Sequence, residues 1–257
     1  MIIIKSESEL RHMRTAGSAV ATTLREIQER VRPGVTTDEI DKIAARTLSK
    51  LGMQSPFLGY PNAHNGRRSF PGTVCTSVNE ELVHGVPGKR RLAEGDILTV
   101  DCGAIHKGWI ADSAWTFPVG EVSPETNVLL NATQEALEKS IEAARPGNRT
   151  GDISAAMQET VERQGFNVVR QHTSHGVGRR LHEDPQIPNY GLAGRGPRLR
   201  RGMTIALEPM VLAGDYETGL QDDGWTVSSA DRQYTAHYEH TVAITDGEAE
   251  IITKWDE

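Results

Sequence analysis

The chain repeats itself. VRPGVTTDEIDKIAARTLSKLG (31–52) returns as ARPGNRTGDISAAMQETVERQG (144–165), with R-P-G-x-x-T-x-x-I common to both and a constant offset, 145 − 32 = 113 and 153 − 40 = 113. In each copy Pro and Gly close one helical pattern, a threonine (Thr37 or Thr150) stands where an N-cap is wanted, and an isoleucine follows three residues later. The spacing predicts one buried face per helix: Ile40, Ile43, Ala44, Leu48 and Leu51 in the first, Ile153, Ala156, Met157 and Val161 in the second. Each of these helices is preceded by another, opened by a capping box from Ser6 to Glu9 in one half and by Ser123 before Pro124 in the other. At 257 residues the chain is near the upper limit of a single core. Two fused copies of helix, helix and sheet therefore predict one α+β body over 1–257, with halves at roughly 6–120 and 121–250 and a site near their pseudo-twofold axis.

After its helices each half runs into strands that carry an acid where apolar side chains are expected. EGDILTVDCG and RGMTIALEPM both place a glycine six residues before that acid, 101 − 95 = 6 and 208 − 202 = 6. In VDCGAIHKGWIADSAW (100–115) a turn centred on His106 and Lys107 sets Asp101 directly opposite Asp112. Opposed side chains have Cβ atoms about 4.5–5.5 Å apart, and like charges there are destabilising unless a cation lies between them. Glu208 in TIALEPMV and Glu239 in TAHYEHTVAI are an odd number apart, 239 − 208 = 31, which permits the same arrangement on a longer hairpin. His175, in the glycine-flanked TSHGVGRRLHEDP, adds an imidazole within reach of a metal. Four carboxylates balance two divalent ions. Such ions, about 3.5–4 Å apart, lower the pKa of a shared water towards about 7 and orient it against a carbonyl, which is hydrolytic chemistry.

Composition narrows the alternatives. Mean hydropathy is −0.46, and no apolar run approaches the roughly 18 residues of a membrane span. MIIIK lacks the charged start, longer apolar region and cleavage site of a signal peptide, so the expectation is a cytoplasmic protein. A net charge of −7 argues against nucleic acid as the main ligand and leaves the basic runs LAGRGPRLRRG (192–202) and GKRR (88–91) as solvated loops. Cys75 and Cys102 allow at most one bridge, so disulfides do not staple this fold.

In order and spacing, VNEELVHGVP, VDCGAIHKGWIADSAWTF, SHGVGRRLHEDP, GMTIALEPMV and YEHTVAIT resemble the motifs of type I methionine aminopeptidases over almost the whole chain. The resemblance implies the pita-bread fold, with helices outside a shared curved antiparallel sheet. It also implies two divalent metal ions on Asp101, Asp112, His175, Glu208 and Glu239, the residues already collected. Oxygen-rich ligands with one imidazole suit Mn²⁺ or Fe²⁺, and Co²⁺ or Zn²⁺ fit the same cage. Asp112 and Glu239 are then expected to bridge the metals, Asp101 to chelate one, and His175 with Glu208 to complete the other. Glu208 is the expected general base, His182 the donor to the developing oxyanion, and His84 a contact near the scissile amide. By family analogy Phe70, Cys75 and Trp225 wall the methionine pocket, a surface suited to a flexible thioether.

Two departures from the family matter. GYPNAHNGRRSFP (59–71) is longer and more polar than the family's usual aromatic-glycine stretch, so Tyr60 is expected to share the role of Phe70. Leu181 stands where the family more often has Phe, which widens the expected pocket. The implied substrates are nascent polypeptides that begin with Met and continue with a small residue. The implied enzyme is a monomer that touches the ribosome transiently, without membrane or specific nucleic acid. Proline-specific peptidases share the fold and ligands but usually carry an extra N-terminal domain, which is not expected here, where the repeat starts near residue 6. Non-catalytic RNA- or ribosome-binding relatives lose ligands, whereas all five are present here. Only 208 − 175 = 33 residues separate His175 from Glu208, too few for the helical insertion of the type II group, and no zinc-finger extension is expected before the domain.

Overall fold

The computed structural model describes residues 1–62 and 69–254. The duplicated motif builds two helix pairs, α1 (Glu7–Gln28) with α2 (Thr37–Lys50) and α3 (Pro124–Ala143) with α4 (Thr150–Arg163). Ser6 and Glu9 close the expected capping box, and the Ser123 hydroxyl accepts from the Thr126 N–H. The other two caps fall one residue earlier than the sequence suggests. Thr36, not Thr37, accepts from the Glu39 N–H at 3.3 Å, and the Glu39 carboxylate accepts from the Thr36 N–H at 2.8 Å. In α4 the Asp152 carboxylate accepts from the N–H of Arg149, which takes the cap position in place of Thr150. An acid at the third helical position selects the residue three before it, and this overrides the hydroxyl preference at the neighbouring site.

Ile40, Ala44 and Leu48 on α2, and Ile153, Met157 and Val161 on α4, are buried as predicted, while Ile43 and Ala156 are half-buried. Leu51 is 41% exposed, because α2 ends before it and the chain turns away. The duplication recurs in the packing. One apolar core gathers around α1 and α2 and a second around α3 and α4, with Trp115 touching both.

The strands of the first half are β1 (Cys75–Val78), β2 (Glu81–Val83), β3 (Ile97–His106) and β4 (Trp109–Pro118). Those of the second are β5 (Asn167–Val168), β6 (Thr173–Gly176), β7 (Glu183–Pro188), β8 (Thr204–Leu207), β9 (Met210–Leu212), β10 (Thr218–Leu220), β11 (Val227–Ser229), β12 (Thr235–His237), β13 (His240–Ala243) and β14 (Glu250–Ile251). They pair antiparallel as β1-β3-β4, β10-β11-β2, β12-β9-β5 and β14-β13-β8-β6-β7, so β2 joins strands of the other half.

The β3–β4 hairpin corrects one expectation. Its turn is Lys107-Gly108, both at positive φ (50° and 77°) and flanked by the pair His106↔Trp109. This is the two-residue turn whose twist matches a hairpin, and it draws Gly108 inside the turn. Asp101 therefore faces Ala114 and Asp112 faces Gly103. The two acids share a face as diagonal neighbours and are not directly opposed, which eases their repulsion.

In the second half the opposed arrangement holds. β8 pairs β13 (Leu207↔His240) and β9 pairs β12 (Met210↔His237) in one unbroken register, which sets Glu208 opposite Glu239 in the gap between the two ladders. The two ribbons lie side by side. The Glu239 N–H donates to the Ala114 carbonyl at 2.8 Å, and the Thr241 hydroxyl both accepts from the Asp112 N–H (3.0 Å) and donates to its carbonyl (2.8 Å). Thr116 makes the same double contact with His237. Among the described residues no helix is long and apolar enough to cross a membrane.

Candidate active site

The seam between the ribbons opens into a cavity of about 250 Å³ lined by all five predicted ligands, Asp101, Asp112, His175, Glu208 and Glu239. Asp112, His175 and Glu239 each offer an atom within 4.8 Å of the others. His175 Nε2 lies 3.4 Å from Glu208 Oε1 and 3.9 Å from Asp112 Oδ2. Its Nδ1 sits 2.9 Å from the Gly176 carbonyl, which can only accept, so the ring proton is on Nδ1 and the Nε2 lone pair faces the acids. Burial holds this imidazole down at about 4, hence neutral near pH 7.

The acids are far from ordinary. Burial first, and then mutual repulsion, pushes Asp101, Glu208 and Glu239 well above the usual carboxylate range. Burial raises Asp112 to about 6 even though the Thr241 hydroxyl donates to it. Asp101 Oδ1 is buried with no hydrogen-bond partner among the described residues. A buried acceptor without a donor, beside clustered carboxylates and an imidazole lone pair, forms a cage for cations. Its oxygen-rich donor set fits hard or borderline divalent metals.

The apolar wall forms beside it. Phe70 meets Trp225 edge to face, ring centroids 5.2 Å apart, and Cys75 lines the cavity because β1 pairs it with Asp101. Burial and the Asp101 charge raise the Cys75 thiol, which stays neutral and acts as a wall. Leu181 and Phe57 also line the cavity.

Tyr60 has a second contact beyond its expected role. Its ring lines the same cavity as Phe70, and its hydroxyl, 2.8 Å from His182 Nδ1, also meets a catalytic candidate. Phe70 N–H donates to the Tyr60 carbonyl and closes the base of the 59–71 stretch. Its middle, 63–68, on which the longer and more polar reading rests, lies outside the described residues. The His182 ring is 4.4 Å from that of His175 and is lowered to about 4 by burial. His84 leaves β2 at φ 59°, a left-handed conformation that costs a non-glycine residue energy and is found where surroundings fix it. Burial lowers His84 to about 3, and its ring meets His172 at 5.6 Å.

Sequence reasoning missed several lining residues, among them Gln171, His172, Met210 and His237. His237 is 1% exposed, neither ring nitrogen has a partner among the described residues, and Nε2 lies 3.6 Å from Glu208 and 3.9 Å from Glu239. Strand alternation in TAHYEHT already puts it on the face of Glu239, two residues on. His172 carries no such signal.

An antiparallel α+β body that gathers four carboxylates and an imidazole beside an apolar pocket defines a metal-dependent hydrolase. The profile of metallopeptidase family M24 matches residues 11–246. Methionine aminopeptidase 1 of Bacillus subtilis is 48% identical over 254 residues, covering 99% of this chain and 100% of that protein. The methionine aminopeptidase of Clostridium acetobutylicum is 47% identical over 98% of this chain and 99% of its own length. A crystal structure of methionine aminopeptidase from Thermotoga maritima aligns with a TM-score of 0.95 at 47% identity, over 99% of this chain and 100% of that one. A prolidase from Pyrococcus furiosus has the same pita-bread fold at a TM-score of 0.80 and 22% identity, over 99% of this chain and 66% of that one. The chain belongs to metallopeptidase family M24 and, within it, to the methionine aminopeptidases.

Proposed function

We propose that this protein removes the N-terminal methionine from nascent polypeptides whose second residue is small, as one catalytic body built from both halves. The observation that carries this reading is the single cavity that joins the five-ligand cage to the wall of Phe70, Cys75 and Trp225. Asp101, Asp112, His175, Glu208 and Glu239 would hold two divalent ions, with Asp112 and Glu239 serving both, Asp101 one, and His175 with Glu208 the other. Mn²⁺ or Fe²⁺ suits this cage best, and Co²⁺ or Zn²⁺ fits it as well. When bound, such metals acidify a water and polarise the scissile carbonyl.

The remaining work falls to the chain. Glu208 takes the water proton and passes it to the leaving amine. We assign the 2.8 Å contact between the Tyr60 hydroxyl and His182 Nδ1 as donation by the hydroxyl, which puts the proton of the neutral ring on Nε2, towards the developing oxyanion. His84 positions the peptide near the scissile amide. The second side chain points to the wall of catalytic histidines, so Gly, Ala, Ser, Thr, Pro, Val or Cys fits there and Leu, Phe, Lys or Glu pushes the amide away; a displacement of about 1 Å costs on the order of 10² in rate. We place the enzyme in the cytoplasm as a monomer. The exposed Arg195, Arg198, Arg200 and Arg201 support transient contact with the ribosome.

The test is hydrolysis of Met-Ala-Ser beside Met-Lys, formyl-Met-Ala and an Xaa-Pro peptide, with several divalent ions. Metal-dependent cleavage confined to Met-Ala-Ser is expected. Equal rates on Met-Lys, cleavage of the formylated peptide, or preference for Xaa-Pro would overturn the reading.

A further inference from the structure

The second-half ribbon is interrupted at the residue that carries a ligand, and side chains stand in for the missing ladder. Pro209 has no N–H to give. Asn189, wholly buried just beyond β7, spans the interruption: its Nδ2 donates to the Glu208 carbonyl at 3.1 Å, and its Oδ1 accepts from the Met210 N–H at 2.7 Å. From β6, the Ser174 hydroxyl accepts from the Glu208 N–H at 2.9 Å. Asp101, the counterpart of Glu208 in the first half, needs no such help, because it lies in a continuous ladder between Cys75 and Ala114.

We infer that Asn189 is a positioning residue for Glu208. Its amide holds both peptide groups around Pro209, and so fixes where the Glu208 carboxylate points. The inference rests on the proposed role of Glu208 as a metal ligand. The demand is for one donor and one acceptor in a single plane, which an amide side chain meets. A carboxylate offers no N–H to the Glu208 carbonyl, and a methyl group satisfies neither partner. Outer partners of metal ligands change metal affinity about 10–100-fold when removed.

The experiment titrates Mn²⁺ alone into the metal-stripped full chain by calorimetry and reads the visible spectrum of the Co²⁺-loaded protein. It compares wild type, Asn189→Ala, Asn189→Asp, Ser174→Ala and Leu137→Ala. Leu137 is buried in the second core and absent from the cavity lining, so its variant reports general loss of stability. Both Asn189 variants should lose about 10–100-fold in affinity with an altered Co²⁺ spectrum, while Leu137→Ala binds like wild type even if it melts lower. If Asn189→Ala does not fold, the equal-sized Asn189→Asp carries the comparison, with Ser174→Ala as a second view of the same clamp. Wild-type affinity and spectrum in folded Asn189 variants, or losses matched by Leu137→Ala, overturn the inference. Failure of the wild type to bind metal would count against the proposed function instead.

Discussion

The hydrogen bond between Tyr60 and His182, assigned as donation by the hydroxyl, is the smallest feature on which the proposed chemistry turns. Tyr60→Phe keeps the ring and removes the proton that fixes the imidazole. We expect kcat to fall by about tenfold with KM little changed, a loss confined to the transition state. Steady-state kinetics on Met-Ala-Ser decides it, and a rise in KM alone would leave Tyr60 as a wall residue only. His182→Ala should retain its metals while kcat and kcat/KM fall together by about 10²–10³. Asp112→Ala should lower the metal count as well as the activity, which elemental analysis of the purified variant shows directly; two metals in that variant would remove Asp112 from the bridging role. The acids were legible in the sequence because a strand alternates its faces and the repeat presents the acid-bearing strand twice. The pairing of Tyr60 with His182 was not, since the residues are 122 apart and only the folded seam brings them together.

Among the elements, the segment from Gly178 to Glu183 shows how a loop is made rigid enough to carry His182. The Glu183 carboxylate accepts from the N–H groups of Arg179 and Arg180 and from Lys5 Nζ at 2.8 Å, with both members of the ion pair 1% exposed. Removing one partner of a buried pair leaves an uncompensated charge, so Lys5→Met should cost about 3–5 kcal/mol in urea unfolding. A loss under about 1 kcal/mol would show the pair to be dispensable. The four helices, the acid-bearing strands and most of the predicted buried helix positions followed from periodicity and caps. The details that slipped had local rivals. Thr36 and Thr37 are equally good caps until Glu39 chooses between them, and a left-handed Lys107 is an unusual start to a turn. The opposed pair of Glu208 and Glu239 was readable only as a parity, because a ribbon interrupted at Pro209 gives no local sign of its register.

On the scale of the whole molecule, the cage couples metal binding to folding. The acids have folded-state pKa values above their unfolded ones, so the stability they lend the metal-free protein is complete below about pH 4 and is lost as pH rises through the raised values. The buried His84, His175, His182 and His237 work the other way, losing stability as pH falls below about 6.5, and His175, a proposed ligand, must also be deprotonated to hold metal. The difference in melting temperature between loaded and metal-free protein, at fixed Mn²⁺, should therefore widen from pH 5 to pH 8 as protons cease to compete. A difference that is flat or narrows over that range contradicts the cage. The stitches between the ribbons, Glu239 to Ala114 and Thr241 to Asp112, carry one more consequence. Asp101 and Asp112 come from one half and His175, Glu208 and Glu239 from the other, so a chain divided at the exposed Gly120-Glu121 peptide yields two inert fragments. Mixed with metal, those fragments have every reason to find each other, and returning activity would serve as a reporter of their reunion.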